Sequence, residues 1–292
     1  MKSANQFACF ASTALCLLAF ASASLAATNP LNEPNGLAVG ANGNLYVANT
    51  GANNIVVFNS KGKQITADTI TEGINHPTAV AVDPIGHVWV ANYGPGNNYV
   101  ANISEYIGVV QDTNATLTEG VTSPLALAID GLGDLWVQNG GHYLSVYAQP
   151  AIYSGGSVPT WKSTFIGPST LYGIAVEQNS LALSAVGAFG VSFASALWTI
   201  ETGSFIATNN FPYTIAVAIA GNGEGDFYIA NLLGVVSIFH PDSTQSAFAN
   251  LSFVPAGMAI DNVNGRVYFS NFQSNEILVY SMSTGQLVQT IK

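Results

Sequence analysis

A motif that recurs along the chain constrains the fold more than any other feature. It begins with Pro, has Ala four residues later in a short apolar run, turns at Gly, and ends in an aromatic strand closed by Asn. The copies are "PNGLAVGANGNLYVAN" at Pro34, "PTAVAVDPIGHVWVAN" at Pro77, "PLALAIDGLGDLWVQN" at Pro124, "PYTIAVAIAGNGEGDFYIAN" at Pro212 and "PAGMAIDNVNGRVYFSN" at Pro255, with a weaker copy, "LYGIAVEQNSLALSAV", at Leu171. A period of this size indicates stacked or radially arranged repeats.

Successive units have nearly the same length. Their marker alanines are 43, 47, 47, 41 and 43 residues apart, at Ala38, Ala81, Ala128, Ala175, Ala216 and Ala259. Within each unit the apolar residues alternate with period two and are rich in Val, Ile and aromatics, which indicates strands, and Gly suits the tight turn between the first two. A third strand follows, and then a more polar fourth strand in "KQITADTI", "STQSAFAN" and "GQLVQTIK".

Four antiparallel strands in a unit of about 40 to 50 residues are typical of a propeller blade. The sequence therefore predicts an all-β fold, a six-bladed β-propeller of four-stranded antiparallel blades. We expect residues 27–292 to form one propeller domain, because no linker or change of composition divides them. Residues 27–33 are expected to pair at the seam where the last blade meets the first.

The first 26 residues are typical of an export signal. Lys2 gives a short basic start, an apolar run covers about residues 7 to 20, and small residues at 24–26 suit cleavage before Ala27. The run is shorter than the roughly 20 apolar residues of a membrane-spanning helix. We therefore predict a signal peptide at 1–26, a secreted or periplasmic protein, and no membrane insertion after cleavage.

Composition excludes several kinds of site and partner. Both cysteines, Cys9 and Cys16, lie in the predicted signal, so the mature chain is expected to have no disulfide, thiolate metal site or cysteine nucleophile. The net charge of −10 repels nucleic acid and anionic membranes, and neither is expected as a partner. The uncharged stretch 178–200 is long enough for a transmembrane helix, but the repeat requires two strands there.

Three parts of the motif carry a resemblance to a known family. The Pro-x-Gly-Leu-Ala-Val opening, the Asp-x-x-Gly turn and the Tyr/Trp-Val-Ala-Asn strand resemble NHL repeats and their six-bladed relatives, including the gluconolactonase and senescence-marker-protein family. The resemblance covers nearly the whole mature chain. Relatives with this fold include lactone hydrolases, lyases and plain binding proteins, so function must be argued from the site.

The lactonase relatives imply a metal on the propeller axis, held by a Glu near the first blade and by an Asn and an Asp that follow Pro. Carried over, Asn35 matches the Asn, and Glu33 approximates the Glu without the family's "EGP" order. Ala256 replaces the Asp, and the remaining units have Thr78, Leu125, Tyr172 and Tyr213 at this place. Because a hard cation prefers several charged oxygen ligands, the sequence predicts no metal site and no cofactor.

Streptogramin lyase relatives favour an acidic residue where the second strands of this chain end in Asn. These positions are Asn49, Asn92, Asn139, Asn231 and Asn271. We interpret them as turn residues whose side chains hydrogen-bond the backbone just past the strand, rather than as a polar ring for a ligand.

The chain has four histidines, and none has the spacing of a metal-binding helix. His76 precedes a first strand and His142 follows a second, so both connections open on the face where propeller ligands usually bind. Tyrosines are expected near the same face. The candidate ligand-binding residues of this axial face are Asn35, His76, Thr78, Tyr93, His142, Tyr172 and Tyr213. No residue is assigned a catalytic role.

The leading hypothesis is a secreted or periplasmic NHL-like propeller that acts as a non-catalytic binding scaffold for an unidentified protein, peptide or glycan. The alternative is a metal-dependent lactonase- or esterase-like hydrolase of the gluconolactonase-like class, with Asn35, Glu33 and His76 or His142 near the axis. A third hypothesis is a structural surface-layer or matrix component that self-associates. Whether the chain is an enzyme is left open, and the missing axial carboxylates favour a binding role.

Overall fold

The computed structural model describes residues 28–94, 100–140, 143–147, 161–165, 170–177, 180–186, 194–199, 205–210, 216–242 and 244–292. The predicted signal peptide lies outside these ranges. The described residues form 23 β-strands and two short 3₁₀ turns. Among them, no helix is long and apolar enough to cross a membrane.

The strands form five four-stranded sheets and one three-stranded sheet, all antiparallel. The three-stranded sheet comes first in the chain and contains β1 (Pro34–Val39), β2 (Leu45–Asn49) and β3 (Asn54–Phe58). The next two sheets contain β4 (Pro77–Val82), β5 (Val88–Asn92), β6 (Asn102–Ile107) and β7 (Val110–Leu117), and then β8 (Pro124–Ile129), β9 (Leu135–Asn139), β10 (Tyr143–Tyr147) and β11 (Trp161–Phe165).

Three further four-stranded sheets complete the order. They contain β12 (Thr170–Glu177), β13 (Ser180–Val186), β14 (Ala194–Thr199) and β15 (Phe205–Asn210); β16 (Ala216–Gly221), β17 (Phe227–Asn231), β18 (Val235–Phe239) and β19 (Gln245–Asn250); and β20 (Gly257–Asp261), β21 (Arg266–Asn271), β22 (Glu276–Ser281) and β23 (Leu287–Ile291). Each strand pairs with the next one in its sheet. This is the meander of a propeller blade.

The first strands of the sheets contact one another in cyclic order: β1, β4, β8, β12, β16, β20 and again β1. Small residues make this convergence possible, and they are Gly36, Ala79, Ala126, Gly173, Ala218 and Gly257. A Cβ at Gly36 would lie 2.6 Å from the Cα of Ala79, and one at Gly257 would lie 2.4 Å from the carbonyl oxygen of Asn35. The backbones therefore meet at the axis only because side chains are small there.

Apolar clusters fill the spaces between neighbouring sheets. One cluster joins the first and last sheets through Val47, Tyr268 and Val279, and another joins the second and third through Trp89, Leu127 and Leu135. Aromatic residues of five second strands are buried; among them, Trp89 is only 1% exposed. Burial of apolar surface between sheets is the main stabilising contribution available to a fold without disulfides.

The prediction of an all-β β-propeller is confirmed, but the prediction of four strands in every unit is wrong for the first unit. "KQITADTI" pairs with the sheet only at the bridges Phe58 to Gln64 and Ile55 to Ile70. Between them, Thr66–Asp68 forms a 3₁₀ turn. Ala and Asp have low β-propensity, so only the two ends of the segment pair.

Other predicted strands are confirmed. "STQSAFAN" and "GQLVQTIK" contain β19 and β23, and the uncharged stretch 178–200 contains β13 and β14. At the seam, residues 28–33 contact the last sheet through side chains rather than as a strand. Asn29 Nδ2 donates to the carbonyl oxygen of Asn275 at 2.7 Å, and Leu31 joins the apolar cluster between the first and last sheets.

The repeat alignment of the fifth unit needs correction. Ala220 pairs with Tyr228, as Ala81 pairs with Trp89 and Ala128 with Trp136, so Ala220 rather than Ala216 is the structural marker. β16 begins at Ala216. The motif at Pro212 has the expected spacing from Pro to Ala, but it places the marker four residues too early.

Candidate functional site

The inner strands enclose a channel along the propeller axis, which we call the axial channel. Its lining consists of Asn35–Leu37, Thr78–Val80, Leu125–Leu127, Gly173, Ile174, Val217–Ile219 and Ala256–Met258. The channel has a volume of about 70 Å³. That volume admits a few water molecules but is far below the several hundred Å³ of a typical small-molecule pocket. A larger ligand would have to bind across the channel mouth.

Most polar groups beside the axial channel are already bonded to neighbouring backbone. The Thr78 hydroxyl donates to the Pro124 carbonyl at 2.7 Å, and the Ser270 hydroxyl donates to the Asn35 carbonyl at 2.7 Å. The first bond joins the inner strands β4 and β8, and the second joins β21 to the inner strand β1. Among the described lining residues, Asn35 adds a half-buried amide and no side chain carries a charge.

The mouth of the channel has a rim with a fixed backbone. The amide of His76 donates to Asn53 Oδ1 at 2.7 Å, and the amide of Tyr93 donates to the His76 carbonyl at 3.1 Å. His76 has φ 45°, and Glu33 has φ 54° at the matching place before its own proline. Glu33 is held in the same way, because its amide donates to Asn275 Oδ1 at 2.7 Å. The rim therefore presents side chains from ordered turns.

The structure brings together four of the predicted site residues. Asn35 and Thr78 line the axial channel, and His76 lies two residues before Thr78. The His76 carbonyl accepts the amide of Tyr93, whose residue is 39% exposed. Tyr172 belongs to β12, but its side chain is outside the described part of the chain, as are His142 and Tyr213 altogether. The inner-strand place predicted for Tyr213 belongs to Val217.

The asparagines that close the second strands have structural roles, as predicted. Asn49, Asn92 and Asn139 are at most 1% exposed. Their Oδ1 atoms accept the amides of Asn32, Asn75 and Thr122 at 2.6, 2.9 and 2.7 Å. The bonded backbone enters the first strand of the same unit, not the turn just past the second strand. Only Asn231 and Asn271 bond the turn that follows them.

A second cluster of functional groups lies at the opposite end of the second sheet, and sequence reasoning missed it. Asp83, His87 and Glu105 each bring one metal-ligating atom to within 4.8 Å of the others. The one available signal was Glu105, an acidic residue inside a third strand whose counterparts are apolar. The partners are too far apart in sequence for a spacing rule to find them.

Residues 31–58 match the NHL repeat. The matched segment spans β1 to β3. No curated protein matches the sequence. The fold is similar to virginiamycin B lyase from Staphylococcus aureus, with a TM-score of 0.61, 14% identity, and coverage of 88% of this chain and 83% of that one. A catalytically inactive variant of that lyase with quinupristin gives a TM-score of 0.62 at 15% identity, covering 90% and 86%. At this identity the likeness establishes the propeller fold alone.

Proposed function

We propose that this protein is an exported, NHL-like six-bladed propeller that acts as a non-catalytic binding scaffold. In this proposal the three-stranded sheet is the sixth blade, supported by its contacts with both neighbouring inner strands. The rim of the axial channel, with Asn35, His76, Thr78 and Tyr93, is the binding face. The partner is a protein, a peptide or a glycan rather than nucleic acid, since the chain carries a net charge of −10.

The observation that carries this proposal is the neutral character of the axial channel. Its mouth positions are Asn35, Thr78, Leu125, Val217 and Ala256. A metal-dependent hydrolase needs charged oxygen ligands around its ion, and the described lining offers one amide and one hydroxyl. The described residues therefore fit an axial metal poorly.

The rim suits contact with a larger partner. Tyr93 exposes an aromatic ring with a polar tip beside His76, and both sit on backbone fixed by hydrogen bonds. Rigid, amphipathic aromatics are enriched in protein interfaces because they bury much area for little conformational entropy.

The test compares two exposed residues from opposite faces. Tyr93→Ala removes the rim aromatic, and Leu132→Ala removes a side chain that is 71% exposed in the turn between β8 and β9. Each variant and the wild type are applied to a glycan array and a peptide array. We expect binding to at least one array, weakened about 10-fold or more by Tyr93→Ala and unchanged by Leu132→Ala. Equal binding by both variants would move the site away from the rim.

A second candidate function is catalysis at the same face. It is favoured by the likeness to virginiamycin B lyase over most of both chains. This version includes the metal-dependent lactonase- or esterase-like hydrolase. It is tested by incubating the protein with quinupristin and with small lactones, with and without Mg²⁺, Mn²⁺ or Ca²⁺, and following products by mass spectrometry. Turnover that is lost in Asn35→Ala would replace the scaffold proposal.

A further inference from the structure

A group of three side chains that could hold a metal ion, which we call the His87 cluster, contains Asp83, His87 and Glu105. It lies at the turn between β4 and β5 and on the neighbouring strand β6, at the end of the sheet away from the channel rim. Asp83 and Glu105 are 1% and 3% exposed. His87 Nδ1 lies 2.6 Å from Glu105 Oε1 and 3.7 Å from Asp83 Oδ2. We propose that the His87 cluster binds a divalent transition-metal ion of the Zn²⁺ type.

The Asp83 carboxylate is held in place by its neighbours. Its Oδ1 accepts the backbone amides of Ile85 at 3.0 Å and His87 at 2.9 Å. Its Oδ2, the oxygen nearest the imidazole, accepts Trp89 Nε1 at 3.3 Å. Outer hydrogen bonds of this kind orient a metal-ligating carboxylate and limit what is lost on binding.

The third sheet shows that this turn does not require His87 or Glu105. Asp130 accepts the amides of Leu132 and Asp134 at 2.9 Å and Trp136 Nε1 at 2.8 Å. The residue opposite Trp136 on β10 is Val146, whereas the residue opposite Trp89 on β6 is Glu105. The corresponding residues of three other sheets are Val57, Ile238 and Val279. The second sheet therefore buries a carboxylate where the repeat needs only an apolar residue.

Electrostatics favours a cation at this place. Two buried carboxylates, those of Asp83 and Glu105, lie beside the single imidazole of His87. A divalent ion would balance the negative charge of both carboxylates. One imidazole nitrogen and two carboxylate oxygens are a donor set suited to Zn²⁺ and its neighbours in the first transition series.

The geometry needs only a small adjustment. Ligand atoms around a four-coordinate zinc ion are roughly 3.3 Å apart, so His87 Nδ1 and Glu105 Oε1 must separate slightly from their hydrogen-bonded distance. The proton between them must also move to His87 Nε2 or be released to solvent when the ion binds. The His87 side chain is 20% exposed. That opening gives the ion a path from solvent, and solvent water would supply the fourth ligand.

Isothermal titration with ZnCl₂ tests the proposal on the full chain after removal of metal by a chelator. Alkylation of Cys9 and Cys16 removes their contribution. We expect one ion per chain, with affinity reduced about 10-fold or more by Glu105→Gln and by His87→Gln. The matched control is His240→Gln, because His240 Nδ1 lies 2.8 Å from a single carboxylate, that of Asp226. This variant is expected to bind as the wild type does.

Two results would overturn the proposal. The first is absence of zinc binding by the wild type, which needs no variant to interpret. The second is unchanged affinity in Glu105→Gln or His87→Gln, with circular dichroism showing that the variant is folded. If one variant fails to fold, the other decides the question alone.

Discussion

The second and third sheets share one frame and differ in what they add to it. In both, an aspartate closes the turn between the first two strands and accepts the indole N–H of a tryptophan six residues later. In both, an asparagine ends the second strand, and its side-chain oxygen accepts a hydrogen bond from the backbone that leads into the first strand of the unit. We call this bond the asparagine clasp. These shared bonds account for the repeat.

The difference lies beside the tryptophan. The second sheet places His87 and Glu105 there, and the third places Asp134 and Val146. Because the third sheet folds with the same frame, the two additional groups of the second sheet are not required by the architecture. The comparison distinguishes the residues that both blades need for folding from His87 and Glu105, which only the second sheet has.

The asparagine clasps should be the most costly part of the frame to remove. Asn92→Ala and Asn139→Ala each leave a buried backbone amide without its acceptor, so we expect each to lower the free energy of unfolding by about 3 kcal/mol. Urea unfolding measures both losses. Similar values would confirm that the two sheets share this element.

Asn114, which is exposed on β7, provides the control for both clasp variants. Asn114→Ala should change the free energy of unfolding by less than about 0.5 kcal/mol. A clasp variant with an equally small effect would show that the buried bond contributes little.

The turn aspartates should differ between the two sheets. Asp130→Ala removes an acceptor from two amides and an indole N–H, and we expect a loss of about 2 kcal/mol. Asp83→Ala removes the same kind of bonds but also relieves repulsion with Glu105, so the expected loss is about 1 kcal/mol. Urea unfolding of both variants at pH 8 gives the comparison. An equal or larger loss for Asp83→Ala would remove the electrostatic distinction between the sheets.

A smaller, shared effect is expected at the ends of the third strands. The Tyr106 hydroxyl donates to the Glu72 carbonyl at 2.8 Å, and the Tyr147 hydroxyl donates to the Glu119 carbonyl. Each Tyr→Phe change should cost about 1 kcal/mol. Burial raises the pKa of Tyr106 to about 12 and also raises the pKa of Tyr147. Absorbance of ionised tyrosine, followed as the pH rises, should be the same in the wild type and in each variant below pH 11. A smaller absorbance in a variant would show that the replaced tyrosine ionises in this range and would contradict its burial.

Much of the fold was readable from the sequence because each strand repeats the same alternation and the same turn. The motif at Pro77 begins at the first residue of β4 and ends at the last residue of β5, Asn92. The repeat does not predict the 3₁₀ turn at Thr66–Asp68, because the residues on either side of it pair with the sheet as a fourth strand would. The marker alanine of the fifth unit was predicted wrongly because the motif at Pro212 begins four residues before β16.

The candidate sites were harder to predict. Asn35 and Thr78 were placed on the axis because every inner strand reaches it in the same register. The His87 cluster was not predicted, because it depends on the register that sets Glu105 opposite Trp89. The connection before β6 has no counterpart of equal length in the other units, so the alternation alone does not fix that register.

The most direct test of the contrast between the two sheets is the free energy of unfolding of the variant Glu105→Val. This change gives the second sheet the residue type of Val146 in the third sheet. Unfolding is measured in the presence of a chelator at pH 8 and at pH 5. We predict that at pH 8 the variant is as stable as the wild type or more stable by up to about 2 kcal/mol. Because burial raises the pKa of Glu105, the folded wild type takes up a proton more readily than the unfolded chain as the pH falls. The advantage of the variant should therefore shrink at pH 5. A loss of more than about 2 kcal/mol at pH 8 would show that Glu105 belongs to the frame and would contradict the account.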